Sequence, residues 1–145
     1  MTGSREHDPF DLERFVTAQA GGVHERALEE LRNGRKQTHW MWFVFPQVAG
    51  LGRSATAQHY ALSGLDEARA YLQHPLLGNR LRESATALLA LPDTDPAAVL
   101  GPVDAVKLRS SMTLFARAAP EEETFQRVLD RYFGGSPDEA TIRLL

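Results

Sequence analysis

Residues 34–54 (GRKQTHWMWFVFPQVAGLGRS) bring together side chains that could bind a ligand. Both tryptophans of the chain lie here, two cations precede them, and a glycine-rich stretch follows. Indole faces stack on nucleobases, cations hold phosphates, and glycines let backbone amides approach a ligand. The segment therefore predicts half of a site for an anionic, nucleotide-like molecule. Its candidates are Arg35, Lys36, His39, Trp40, Trp42, Gln47, Arg53 and Ser54, together with Tyr60 shortly after it.

A polar stripe in a later predicted helix supplies the other half of this site. Residues three and four apart share a helix face, so Lys107, Ser110, Ser111 and Thr113 are expected to line a pocket together. Two structural alternatives stay open. The hydroxyls can bond to carbonyls of their own helix, and the tryptophans can pack in the core, which is the role expected of the neighbouring phenylalanines.

The formal charge of −3 is unevenly distributed along the chain. No acidic residue occurs between Glu30 and Asp66, or from Ala105 to Pro120. If these two acid-free windows meet in space, they form an electropositive patch that suits an anionic ligand. The alternative is that their cations are solvated separately. The net acidity argues against nucleic acid as a partner.

Several kinds of chemistry have no candidate residues. The chain has no cysteine, which excludes disulfides, thiolate metal sites and cysteine nucleophiles. The histidines lack metal-ligand spacing, and no GxSxG motif is present. We therefore predict no metal and no cofactor, assign no catalytic residue, and leave open whether the protein is an enzyme. No apolar run is long enough for a membrane helix, so we expect a cytoplasmic protein without a membrane partner.

The elements that must position these residues are mainly helices. A chain of 145 residues predicts one domain, with six to eight helices around one core over residues 8–145 and a disordered segment at residues 1–7. Residues 39–45 suit either a short buried strand or a short helix. The predicted helices start at a cap on Asp8 and then cover 23–32, 56–62, 66–73, 75–91, 96–100, 104–118, 121–133 and the residues after a cap on Ser136.

Long sequence motifs identify the family. The segment 34–54, followed by AQHYAL, DEARAYLQHPLLGNRL, KLRSSMTLF and LDRYFGG, resembles the family called domain of unknown function 1810. The resemblance runs from Asp8 to Leu145, with one departure at His24, where the family more often has tyrosine. Members are often labelled calpastatin, a name that no motif in this sequence supports. The resemblance implies no particular activity.

A more distant resemblance suggests a ligand class. Residues 54–60, then 108–112 and 125–126, are similar in order to the NADAR domains, which are associated with NAD and ADP-ribose. This resemblance implies a bacterial-type cytosolic pocket protein that binds such a ligand and is related to N-glycosidases. Gln58 stands where the motif has glutamate, and glutamine cannot act as a general base, so binding without hydrolysis is expected. The alternative is a protein-interaction module that exposes Trp40 or Trp42 to an unknown partner protein.

Overall fold

A computed structural model of the protein describes residues 8–92 and 95–145. Within these residues the chain forms ten helices and no strand. The segment 1–7, predicted to be disordered, lies outside the described residues. The helices are α1 (Glu13–Ala18), α2 (Val23–Arg32), α3 (Met41–Val44), α4 (Ala55–His59), α5 (Leu65–Gln73), α6 (Leu77–Leu89), α7 (Pro96–Leu100), α8 (Pro102–Ala118), α9 (Thr124–Phe133) and α10 (Glu139–Arg143).

The helices surround one hydrophobic core, which confirms the prediction of a mainly α, single compact domain. The longest helix, α8, packs against α5, α7, α9 and α10. Aromatic rings continue through the core: Tyr71 lies 5.1 Å from Phe15 and 5.6 Å from Phe115, centroid to centroid. None of the helices in the described ranges is long and apolar enough to cross a membrane.

Short-range signals placed some helix starts correctly. Helix α2 spans the predicted residues, with a left-handed Gly22 before it. Ser54 caps α4 by accepting a hydrogen bond from the backbone N–H of Ala57 at 3.1 Å. Asp95 caps α7 by accepting from Ala97 N at 3.0 Å. In each case a capping side chain or a glycine stands directly beside the first helical residue, so the local sequence is sufficient.

Three other predicted starts were wrong by a few residues. The Asp8 carboxylate does cap a helix, but it accepts from Leu12 N at 2.7 Å and Glu13 N at 3.0 Å. The helix cannot begin earlier because Asp11 has φ 53°, which is outside the helical range. Helix α9 begins after its three leading glutamates instead of on them. Helix α10 is capped by Asp138 and not by Ser136.

Of residues 39–45, for which the sequence left helix and strand open, Met41–Val44 form a short helix and none forms a strand. Met41 and Val44, three residues apart on α3, both point into the core. The strand-like pairing comes after Pro46, where Leu62 N donates to Gln47 O at 2.9 Å and Ala49 N donates to Leu62 O at 2.8 Å. This single bridge, between Val48 and Leu62, holds the loop that follows α3 against the loop between α4 and α5.

Gly78 allows the end of α5 to touch the start of α6. A Cβ atom at this position would lie 2.1 Å from the carbonyl oxygen of Leu72. We expect Gly78→Ala to lower the free energy of unfolding by about 2–3 kcal/mol, because the backbones must separate. Denaturation with urea measures this change. Gly64→Ala is the matched control, since nothing lies within 4 Å of its added Cβ; equal stability of the two variants would contradict the close approach.

Candidate functional site

Glu30 of α2 organises the segment that precedes α3. Its buried carboxylate accepts hydrogen bonds from the backbone N–H groups of Gln37 at 2.7 Å and Thr38 at 3.0 Å. It also accepts from the Thr38 hydroxyl at 2.7 Å and from the indole Nε1 of Trp40 at 2.9 Å. Trp40 is only 1% exposed. This indole is therefore a core side chain with its one polar atom satisfied.

The hydrogen bonds also set the charge of Glu30. Burial raises the pKa of the Glu30 carboxyl, but the bonds from Gln37, Thr38 and Trp40 outweigh this and hold the pKa at about 2, against 4.5 for an ordinary glutamate. Because the pKa is lower in the folded protein, the ionised carboxylate stabilises the fold at pH values above the pKa that Glu30 has in the unfolded chain. This contribution, about 3 kcal/mol, is lost as the pH falls from about 4.5 towards 2.

This linkage gives a prediction for acid unfolding. We expect the free energy of unfolding to fall more steeply between pH 5 and 3 in the wild-type protein than in Glu30→Gln, because glutamine has no proton to take up. Urea denaturation at several pH values measures the two slopes. Glu29→Gln, at an exposed position beside it, serves as the control and should keep the wild-type slope. Equal slopes for wild type and Glu30→Gln would contradict the assignment.

The only two lysines of the chain meet at one carboxylate of α8. Lys36 Nζ lies 3.0 Å from Asp104 Oδ2, and Lys107 Nζ lies 2.9 Å from Asp104 Oδ1. We call Lys36, Asp104 and Lys107 the lysine–aspartate cluster. Burial raises the pKa of Asp104, but the hydrogen bonds from the two lysines and their charges lower it by more than burial raises it, so the net shift of the pKa is downward. The two acid-free windows thus touch, at an ionised aspartate that neutralises one of their charges.

Each lysine of the cluster also lies over a tryptophan ring. Lys36 Nζ is 5.2 Å from the Trp40 centroid, and Lys107 Nζ is 4.3 Å from the Trp42 centroid. Both distances are within the range of cation–π attraction. The cluster therefore joins the start of α8 to Trp40, the residue before α3, and to Trp42 within α3.

Trp42 is half-buried and its surroundings are tight. It lines a crevice of about 10 Å³ together with Gln47, Gly52 and Tyr60, which is space for about one water molecule. A Cβ on Gly52 would lie 2.5 Å from the Cβ of Ala57 and 3.8 Å from Trp42 Cζ3. Lys107 thus lies over the Trp42 ring and Gly52 lies near its Cζ3 edge, and the role of Trp42 towards a ligand stays a prediction.

The hydroxyl stripe of α8 makes bonds within the protein. Ser110 Oγ donates to Asp138 Oδ2 at 2.9 Å, and Asp138 N donates to Thr113 Oγ1 at 2.8 Å. Both hydroxyls also have a carbonyl of α8 within hydrogen-bond distance. Ser111 Oγ is buried and has no hydrogen-bond partner among the described residues. Two of the three hydroxyls thus attach α10 to α8, and their role towards a ligand stays a prediction.

The remaining candidates are spread over the surface. Arg35 lines a separate groove of about 520 Å³ along α2, which Arg26 and Glu29 also line. His39 and Arg53 are exposed, and Ser54 is engaged as the cap of α4. The predicted set therefore divides between the cluster, this groove and the docking of α10. No group of side chains in residues 8–92 and 95–145 could hold a metal ion.

Sequence reasoning missed an apolar surface next to the cluster. The large apolar side chains that the described residues leave most exposed are on α8 and after α10: Val103 (69%), Val106 (62%), Leu144 (46%) and Leu145 (41%). We call these four residues the apolar face. On α8, Val103 and Val106 alternate with Asp104 and Lys107. The sequence could have indicated this exposure, because Val103 and Val106 do not share the helical spacing of the buried stripe Leu108, Met112 and Phe115.

Contacts at both ends of α10 attach it to α8 and to the loop after α3. Asp138, at the start of α10, bonds to Ser110 in the middle of α8. Leu144, just after α10, reaches the loop that follows Trp42, since a Cβ on Gly50 would lie 3.2 Å from Leu144 Cδ2. Trp42 in turn contacts Lys107. Asp138 thus lies against the middle of α8, and Leu144 lies against the loop that follows α3, the short helix whose Trp42 contacts Lys107 of α8.

The chain belongs to the family described as protein of unknown function (DUF1810), whose sequence profile matches residues 9–145. The family resemblance seen in the sequence is thereby confirmed. The chain is similar to the crystal structure of the conserved hypothetical protein Rv1873 from Mycobacterium tuberculosis, with 52% identity and a TM-score of 0.92. That match covers 95% of this chain and 98% of the other. No curated protein matches the chain significantly.

Proposed function

We propose that this DUF1810 protein is a protein-interaction module that binds an acidic, apolar segment of a partner protein. The binding surface is the apolar face together with the lysine–aspartate cluster. One observation carries the proposal: the most exposed large apolar side chains of the described residues are Val103 and Val106, three residues apart on α8, and Leu144 and Leu145, which follow the α10 helix attached to α8. Single exposed apolar residues are common on protein surfaces, but adjacent ones mark interaction sites.

The charges around the apolar face select an acidic partner. The cluster has two lysines and one aspartate, and therefore a net charge of +1. Arg53 and Arg143 are exposed on the loop and the helix that meet at Gly50 and Leu144. Carboxylates of a partner can pair with these cations while its apolar side chains cover the two valines, and such complementarity orients a complex. The proposal takes a cytoplasmic partner, in the location that the sequence favours.

Selection from a library of short random peptides tests this proposal. We expect the peptides retained by the immobilised protein to combine leucine, isoleucine or phenylalanine with aspartate or glutamate. Their affinity, measured by isothermal titration calorimetry, should fall about tenfold or more in Val103→Ser/Val106→Ser, because the central apolar contacts are lost.

A second pair of small exposed side chains provides the control. Ala20 follows α1 and Ala90 follows α6, and both are exposed, so Ala20→Ser/Ala90→Ser should bind the selected peptides as the wild type does. Enrichment of basic peptides, or equal affinities for the valine and alanine double variants, would exclude the proposed surface.

A second candidate function is binding of an ADP-ribose or NAD-like ligand. The convergence of Lys36 and Lys107 beside Trp42 favours it, because two ammonium groups and an indole suit a diphosphate and a base. Lys107 must then leave the indole. Gln58 Nε2 donates to Arg53 O at 2.9 Å, and we expect binding without hydrolysis. Calorimetry and thermal shift with millimolar ADP-ribose and NAD test this function; the absence of heat and of any shift would count against it.

A further inference from the structure

We propose that Lys107 is a site of lysine acylation, and that this modification weakens binding of an acidic segment to the apolar face and the lysine–aspartate cluster. The site itself rests on the structure of the cluster. Its regulatory consequence rests on the proposed function, because it assumes that the apolar face and Lys107 bind an acidic segment.

Every lysine of the chain belongs to the lysine–aspartate cluster, so acylation of a lysine side chain must occur there. Of the 16 basic lysine and arginine residues, only Lys36 and Lys107 are lysines. A guanidinium group remains protonated at any physiological pH, whereas a lysine amine can lose its proton and act as a nucleophile. Both lysine side-chain amines of this protein form an ion pair with Asp104. Acylation of any lysine therefore changes the charge of the proposed docking surface.

The two amines differ in how easily they leave the cluster. The Lys36 side chain is 10% exposed and its backbone N–H donates to Val99 O at 2.7 Å. The Lys107 side chain is 20% exposed and stands on α8 beside the exposed Val103 and Val106. When Lys107 turns outward, Asp104 keeps Lys36 as its counter-ion, so no buried charge is left alone. When Lys36 leaves, a mostly buried side chain must be extracted.

The reaction needs an activated acyl donor, such as an acyl phosphate. The Lys107 ammonium first releases a proton to solvent. The free amine then attacks the carbonyl carbon of the donor, a C–N bond forms, and the C–O bond to phosphorus-bound oxygen breaks. Inorganic phosphate leaves with the bonding electron pair, and the second proton of the amine passes to solvent. The product is a neutral amide at Nζ.

The amide cannot make the contacts of the ammonium. It loses the ion pair with Asp104 and the cation–π contact with Trp42, and the net charge of the cluster falls from +1 to 0. An acyl group beside Val103 and Val106 also extends the apolar face. A partner segment that uses carboxylates is therefore disfavoured, while the indole of Trp42 is uncovered.

Acetyl phosphate is the probe that tests the site. We expect peptide mass spectrometry to show Lys107 acetylated several times faster than Lys36 in the folded wild-type protein. Tryptophan fluorescence should change in step with acetylation of Lys107. In Lys107→Arg the cation over Trp42 is retained but cannot be acylated, so its fluorescence should not respond to acetyl phosphate. Lys36→Arg is the matched variant, in which Lys107 should react at the wild-type rate.

The outcomes separate this inference from the proposed function, because the acetylation rates require no partner. Faster reaction at Lys36, or no reaction at Lys107, overturns the modification site. Selective reaction at Lys107 supports it even if no peptide binds. Where selected peptides do bind, acetylation of Lys107 should weaken them about tenfold, and an unchanged affinity overturns the regulatory role.

Discussion

Replacing Glu30 by alanine is expected to lower the free energy of unfolding by about 4 kcal/mol, because four donors, the Thr38 hydroxyl among them, lose their acceptor at once. The backbone N–H groups of Gln37 and Thr38 and the indole N–H of Trp40 all donate to this carboxylate. None of these donors can be satisfied by a methyl group, and the Trp40 donor is buried. Folded domains of this size are stable by about 5–15 kcal/mol, so a large share of the stability depends on one side chain.

Urea denaturation at pH 7 measures the effect of Glu30→Ala. Glu29→Ala is the control, because Glu29 is the exposed neighbour on the same helix and its loss should change the stability by less than about 0.5 kcal/mol. Near-equal stabilities of Glu30→Ala and Glu29→Ala would show that the carboxylate does not organise the segment. A red shift of the tryptophan emission in Glu30→Ala, with none in Glu29→Ala, would show that an indole has become exposed to water, as expected if Trp40 is released.

Arg14→Met is expected to destabilise the protein by about 3–5 kcal/mol, because it leaves a buried carboxylate without its partner. Arg14 of α1 lies 2.8 Å from Glu67 of α5, and their side chains are 11% and 5% exposed. The guanidinium also donates to the carbonyl groups of His59 and Ala61 at 2.8 and 2.9 Å. One side chain therefore ties α1 to the loop between α4 and α5.

Two further variants make this prediction specific. Arg127→Met removes an exposed pair with Glu123, whose charged atoms are 4.0 Å apart, and should cost less than about 1 kcal/mol. Arg14→Met/Glu67→Leu removes both buried charges and should recover part of the stability lost in Arg14→Met. A double variant less stable than Arg14→Met would show that the unpaired Glu67 is not the source of the loss.

Local patterns predicted the helices but not the partners of their side chains. The bounds of α2 follow from its apolar spacing and from the glycines that flank it, and these are short-range properties of the sequence. The partners of Glu30 and Asp104, by contrast, could not be predicted from local patterns. The charge pattern marked them only as the acidic residues next to the acid-free windows, whereas the fold places them among the very cations and indoles of those windows.

The candidate site could be predicted in composition but not in geometry. Lys36, Trp42 and Lys107 were selected from residue type, and the fold brings them together. Ser110 and Thr113 have the same polar character, but α10 covers them. Which side of a helix a later segment covers depends on packing between distant residues, and a pattern within α8 contains no information about it.

The attachment of α10 has a consequence for local opening of the protein. A five-residue helix is too short to be stable alone, and the Asp138 side chain both caps it and bonds it to Ser110. Asp138 N also donates to Thr113 of α8, so opening of these few bonds at Asp138 would free the start of α10, and we expect its amides to exchange with solvent before those of α8. In that open form Ser110 and Thr113 face water beside Lys107, and the hydroxyl stripe hidden in the ground state becomes a surface.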